Sequence, residues 1–319
     1  MKILFSTGKG GVGKSTMAAA AAWQLSRDQR VLIISLDPAH NLGDIFGVTL
    51  AGGRKRFSAN LHLGEVDLQQ LSKEYLKREI DVLSGSYKYL QTLNLDNYFS
   101  VLKYSPGIEE YALLTSIEAT IRNEEDYDII IFDTPPTGLT LRFLALPRVT
   151  ITWIDRLIQI RRKILEKRYT IQKIRGNPEE GTLDSGIILN YNEDDDDILR
   201  RLRVLKTNYE TLTSILEGRD CAIFVVFNPD LLSLRESQRL VEGLHELHLP
   251  LRLMINNKVT TDNEAMADHV EKTMLRRAEH IPVERIALHR ELQSRDATKL
   301  YEIEEDIASP LLFILNNAR

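Results

Sequence analysis

The chain has 319 residues, 43% apolar and 27% charged, which suits a folded protein with one large α/β domain and room for insertions. A net charge of −5 and a pI near 5.9 argue against a nucleic-acid-binding surface. A lone cysteine, Cys221, excludes a disulfide framework, and neither a signal peptide nor an apolar run near the ~20 residues of a membrane span is present. The expectation is a cytoplasmic protein with no nucleic-acid partner.

Residues 2–6 (KILFS) read as a buried strand, and GKGGVGKST follows from Gly8 to Thr16. This fits the phosphate-loop template, with Gly8, Gly13, Lys14 and Ser15 at its fixed positions. A polyphosphate needs several backbone N–H groups pointing inward, and the run Gly8, Lys9, Gly10, Gly11, Val12, Gly13 can supply them. Lys14 would reach the β- and γ-phosphates, the Ser15 hydroxyl would ligate Mg²⁺, and the helix over 14–26, including Thr16, would point its positive end at the same charge. Lys9 is an additional cation early in the loop. A nucleotide polyphosphate with Mg²⁺ is therefore the expected ligand, and the resemblance given below implies ATP.

A second β-branched run, 30–36, ends in Asp37 and Pro38, placing a carboxylate at the carboxyl end of a parallel strand, where doubly wound sheets bind ligands. A strand over 61–67 and a polar helix over 68–84 follow, then an amphipathic helix Ile108–Asn123 whose Tyr111, Leu114, Ile117 and Ile121 read as core. The strand 127–132 delivers Asp133, the Walker B arrangement of a carboxylate opposite Ser15 around Mg²⁺. Beyond it, Pro135 and Pro136 stiffen the backbone, and Gly138 permits close approach. A helix over 153–175 carries Ile154, Leu157, Ile158 and Leu165 beside Arg156, Arg161, Arg162, Lys163, Lys167 and Arg168. That pattern suits a solvated face, an acidic partner or a membrane surface. Turn residues fill 176–192. Asp194 to Asp197 open the next helix, where negative charge complements the dipole; a calcium site there lacks loop spacing. The strand Cys221–Phe227 precedes a helix for which Ser233 is the expected N-cap, with Glu236 completing a capping box. Strands over 251–256 and 285–288, helices over 263–278 and 296–307, and a core-packing run at 311–315 complete the chain.

The loop KGGVGKS resembles the deviant phosphate loop of a group that includes ArsA-type ATPases, MinD, ParA and the nitrogenase iron protein. DPAHNLGD from Asp37, together with DTPPTGLTLRFLALP from Asp133, narrows the resemblance to the ArsA and tail-anchored-protein targeting ATPase family. It implies a P-loop fold, a doubly wound and mostly parallel sheet forming a single ATPase domain over 1–319, with helical insertions at about 68–124 and 148–218. It further implies a Mg²⁺-dependent ATPase acting as a homodimer through its nucleotide face. There Lys9 contacts phosphate across or within the dimer, Asp37 positions the attacking water, and Asn41 adds a polar contact. Pro136 belongs to the nucleotide site, Asp230 stands where the family has a Glu on the partner side, and Asn256, with Asn257 as fallback, meets adenine. Leu139 stands where the family tends to have His. The helical insertion would engage a client. The zinc-clamping Cys-x-x-Cys pair, the arsenite thiolates and the iron protein's cluster cysteines are all missing from a chain with one cysteine. An ATP-gated scaffold with little turnover, or a membrane-surface switch of the MinD or ParA kind, stays open as the alternative.

Overall fold

The computed structural model describes residues 1–38, 41–50, 53–86, 105–175, 192–288 and 299–317. In chain order, β1 (Lys2–Gly8) leads into α1 (Lys14–Leu25), β2 (Val31–Ser35) and the short α2 (Asn41–Phe46). Then come β3 (Arg54–Arg56), β4 (Leu61–Glu65), α3 (Leu68–Ser86), α4 (Ile108–Asn123) and β5 (Ile129–Asp133). The long α5 (Thr137–Arg175) and α6 (Asp197–Leu216) precede β6 (Cys221–Phe227), α7 (Leu231–Glu246), β7 (Leu251–Val259), α8 (Glu264–Leu275), β8 (Val283–Ala287) and α9 (Ala308–Asn317).

The eight strands form one sheet in the order β3-β4-β2-β5-β1-β6-β7-β8. Neighbours are parallel except the edge pair β3 and β4. The central strands are apolar at almost every position because both sheet faces are covered. One set of alternate side chains, among them Leu4, Ile33, Ile131, Phe224 and Ile255, packs with the five buried alanines of α1. The other set includes Phe5 and Phe132, whose rings stack at 5.1 Å. Alanine at 18 to 22 lets α1 lie close on the sheet, which fixes the loop before it.

Several boundaries differ from the sequence reading. The helix expected over 153–175 is the later part of α5, which starts at Thr137 and contains Pro147. The described part of 296–307 forms turns and bends, and the helix begins only at Ala308. The run 311–315 lies inside that helix, with Leu311 and Leu315 in the core. β7 extends to Val259, past the two asparagines. The expected connection at 176–192 falls, apart from Asn192, outside the described residues.

The chain divides into two compact units, Met1–Leu144 with Ile215–Arg319, and Ala145–Ser214. The smaller unit has its own apolar cluster of Ile154, Ile158, Leu165 and Leu199, with Leu202 and Tyr209 against it. Its buried ion pair joins Arg161 to Asp196 at 2.6 Å. Asp196 also accepts from the Leu199 N–H at 2.8 Å, so the aspartate run supplies the cap of α6. Among the described residues no group of three or more His, Cys, Asp or Glu side chains is placed to hold a metal ion.

Candidate functional site

At the carboxyl end of β1 the chain turns through Lys9 to Gly13 into α1. Gly8 (φ 154°) and Gly13 (φ 96°) adopt conformations that L side chains rarely reach. A Cβ at Gly8 would lie 2.2 Å from the Val226 carbonyl oxygen, and one at Gly13 would lie 2.4 Å from Asn257 Nδ2. Gly10 and Gly11 face open space. They border a cleft of about 610 Å³ that Lys14, Ser15, Thr16, Asp37, Asn41 and Pro136 also line. The residues expected from the loop, the β2 end and the segment after β5 therefore meet on one cavity. Lys9 is half-buried in the loop and does not line it.

Beneath the cleft, Asp133 is fully buried and neither carboxylate oxygen accepts a well-formed hydrogen bond. Burial pushes its pKa up to about 7; the Ser15 hydroxyl and the Lys14 charge act in the opposite direction, and the Asp37 charge adds to the rise. A buried carboxylate with unpaired oxygens beside a serine hydroxyl is a good site for a hard, oxygen-seeking cation such as Mg²⁺. Its position is pinned by backbone bonds from Leu36 N to Asp133 O (2.8 Å) and from Thr134 N to Ser6 O (3.1 Å). The Thr134 hydroxyl donates to Ser6 O at 2.8 Å, and the Thr140 hydroxyl donates to Pro135 O at 2.7 Å, seating the start of α5.

The two asparagines of β7 part company. Asn257 lines the cleft and donates to Val12 O at 2.8 Å. Asn256 points away, its amide donating to Glu271 of α8 at 2.7 Å, and it does not line the cavity. Asp230 caps α7 by accepting from Ser233 N at 2.7 Å, while the Ser233 hydroxyl accepts from Asn228 N. The expected Ser233 cap is therefore corrected to Asp230. An extended φ of −144° suits Asp230 to that role.

Sequence reasoning missed part of the cleft. Lys258, in the left-handed region at φ 63°, lines it and donates from Nζ to Gly11 O at 2.7 Å. Asn263 supports that turn, its amide donating to Lys258 O and its carbonyl accepting from Thr260 N. Ile286, Leu288, Leu300 and Ile303 add an apolar wall. Motif spacing gave no signal for any of these, since they come from β7, β8 and the segments after them, far along the chain from the loop.

A glycine loop before a helix, a lysine and serine at its start, an aspartate after β2 lining the cleft and a second, buried one ending β5 define a P-loop nucleotide hydrolase. The family model described as anion-transporting ATPase matches residues 1–286, and the chain belongs to that family as an ATPase. It is 30% identical over 297 residues to the protein named "Putative arsenical pump-driving ATPase 2" of Aquifex aeolicus, covering 90% of this chain and 92% of the relative. It is 30% identical to "ATPase get3" of Schizosaccharomyces pombe (82% and 74% covered), and 28% identical to "ATPase ASNA1 homolog 1" of Paramecium tetraurelia (81% and 75%).

Proposed function

We propose that this ATPase is Mg²⁺-dependent and works as a homodimer whose ATP-driven closing and opening is coupled to binding a protein or small-molecule client. The observation that carries the reading is the convergence of Lys14, Ser15 and Asp37 on one cleft above the unpaired carboxylate of Asp133. Ser15, with Asp133 behind it, would hold Mg²⁺, which supplies charge neutralisation between phosphate oxygens. Lys14, only 5% exposed, is confined to the cleft floor and binds phosphate charge there. Asp37, at the cleft edge, orients the attacking water and receives its proton. Asn256 and Asn257 are the two candidates for the base, with Asn257 on the cleft side. Lys9 reaches phosphate across the closed dimer, with Asn41 and the exposed Asp230 beside the partner's nucleotide. Closing two loops face to face brings like-charged triphosphates together, which is tolerable only with cations between them.

Lys14→Ala is expected to abolish tight ATP binding in calorimetry, and Asp37→Asn to keep binding while turnover is lost. With Mg-ATP, Asp37→Asn is expected to sediment as a dimer and the Lys9→Ala, Asp37→Asn double variant as a monomer. Equal sizes for the two, or dimerisation indifferent to ATP against ADP, would sink the Lys9 dimer. Turnover retained by Asp37→Asn would sink the water-orienting role.

A further inference from the structure

Along α5, the side chains that build the core of the smaller unit and those that remain in solvent separate cleanly by angle. At about 100° per residue, Ile154, Ile158 and Leu165 share one side, and each is at most 8% exposed. Trp153, Leu157, Ile160, Ile164 and Ile171 fall along a second line, well around the helix from the first. They are large apolar groups left outside: Trp153 is 65% exposed, and Ile174, at the edge of the same strip, 79%. A solvated helix face does not need five such residues in register.

The charges beside this strip are of one sign. Arg156, Lys163 and Lys167 follow one border; Arg168, on the other, is half-buried and faces the charge of Asp196, while the helix's acids after Pro147, Asp155 and Glu166, lie around the far side. Lys206 neutralises Asp155 at 2.6 Å. Arg161 and Arg162 are engaged with Asp196 and Glu193 and belong to the packing of α6. Cations bordering this apolar strip contrast with a chain of net charge −5.

That combination selects among occupants. A second copy laid on the strip would press Arg156, Lys163 and Lys167 against the same cations, with no carboxylate to separate them. A bare apolar segment would cover the strip but leave the border charges without partners. Anionic headgroups over an acyl boundary satisfy both, with the tryptophan at the depth where indoles collect. We propose that the Trp153–Ile174 face of α5 docks this protein on an anionic lipid surface. The inference goes beyond the nucleotide site and uses none of its residues.

The test is cosedimentation of the full chain with vesicles of phosphatidylcholine alone, or with about a quarter phosphatidylserine. Binding is expected to be at least roughly tenfold stronger on the anionic vesicles and to fall as salt is raised toward about 0.5 M. Of the two tryptophans, Trp23 packs against the core cluster, so brominated lipid should quench Trp153 selectively. The triple variant Arg156→Gln, Lys163→Gln, Lys167→Gln should lose the anionic preference while keeping wild-type ATP turnover, which also certifies its fold. Equal binding to both vesicle types, no binding, or an anionic preference that survives the triple variant overturns the proposal. So does concentration-dependent self-association that the variant leaves in place or strengthens, which would assign the face to a second copy. Failure of these arms leaves the nucleotide reading intact, because that reading is measured by turnover and not by vesicle binding.

Discussion

Asp133 sits with a pKa raised to about 7, so without a cation it is partly protonated near neutrality. If Mg²⁺ binds there as proposed, a proton on Asp133 would oppose it. Mg²⁺ affinity, titrated by calorimetry with ADP present, should weaken below pH 7 by up to about tenfold per unit. Asp133→Asn should bind more weakly and lose that slope. On stability the sign is the reverse: the raised pKa favours the metal-free fold as pH falls from about 7, an advantage lost as pH rises through that value. Lys258 offers a second check. Lys258→Gly removes the left-handed strain at φ 63° and the bond to Gly11 O together. Its melting temperature should hold or rise, the strain being worth about 1 kcal/mol, while nucleotide affinity drops several-fold for want of a fixed loop. An affinity unchanged in calorimetry would mean that the loop holds its shape without Lys258. The glycines and Lys14 were legible because the phosphate loop fixes their spacing, and the two aspartates because each closes an apolar strand run. Asn256 against Asn257 was not, since parity on a strand is read from alternation. The preceding Leu253, Met254 and Ile255 are all fully buried and carry none.

At the scale of elements, the α5–α6 pair hangs on one buried carboxylate. Arg161 beside Asp196 holds that carboxyl below its ordinary range, helped by the Leu199 N–H. Asp196→Ala strands a buried guanidinium and uncaps α6, so a loss of about 3–5 kcal/mol is expected, read as faster amide exchange across 145–214. Because the folded pKa is depressed, this support is complete above the unfolded value of roughly 3.9 and fades as pH falls below it. In α7, Asp230→Ala should cost about 1 kcal/mol, whereas Glu236→Ala should cost little, reversing what a capping box at Ser233 implies. The strands were legible as apolar runs bounded by turn residues. The true length of α5 was not, because the segment after Asp133 carries two prolines and a glycine that read as loop, and Pro147 sits well inside the helix.

Across the whole molecule, the cleft is walled by residues from Gly10 to Ile303, so a nucleotide that fills it ties distant parts of the larger unit together. Bound at a hundred times its Kd, it should add about 2.7 kcal/mol, a rise of roughly 5–10 °C in the melting of a unit this size. Scanning calorimetry with and without Mg-ADP measures it. The position of β1 at the middle of the sheet has a further consequence, which concerns time. Its partners are β5 and β6, and the link from Lys2 to Asp220 spans 218 residues of chain. During synthesis at about 5–20 residues per second, the first strand and its alanine-rich helix wait tens of seconds for the second neighbour to emerge. Until then the glycine loop has no Val226 carbonyl to lie against and no Asn257 to hold it. The loop is thus made well before the partners that complete it, and the ability to grip phosphate marks a sheet whose centre has closed.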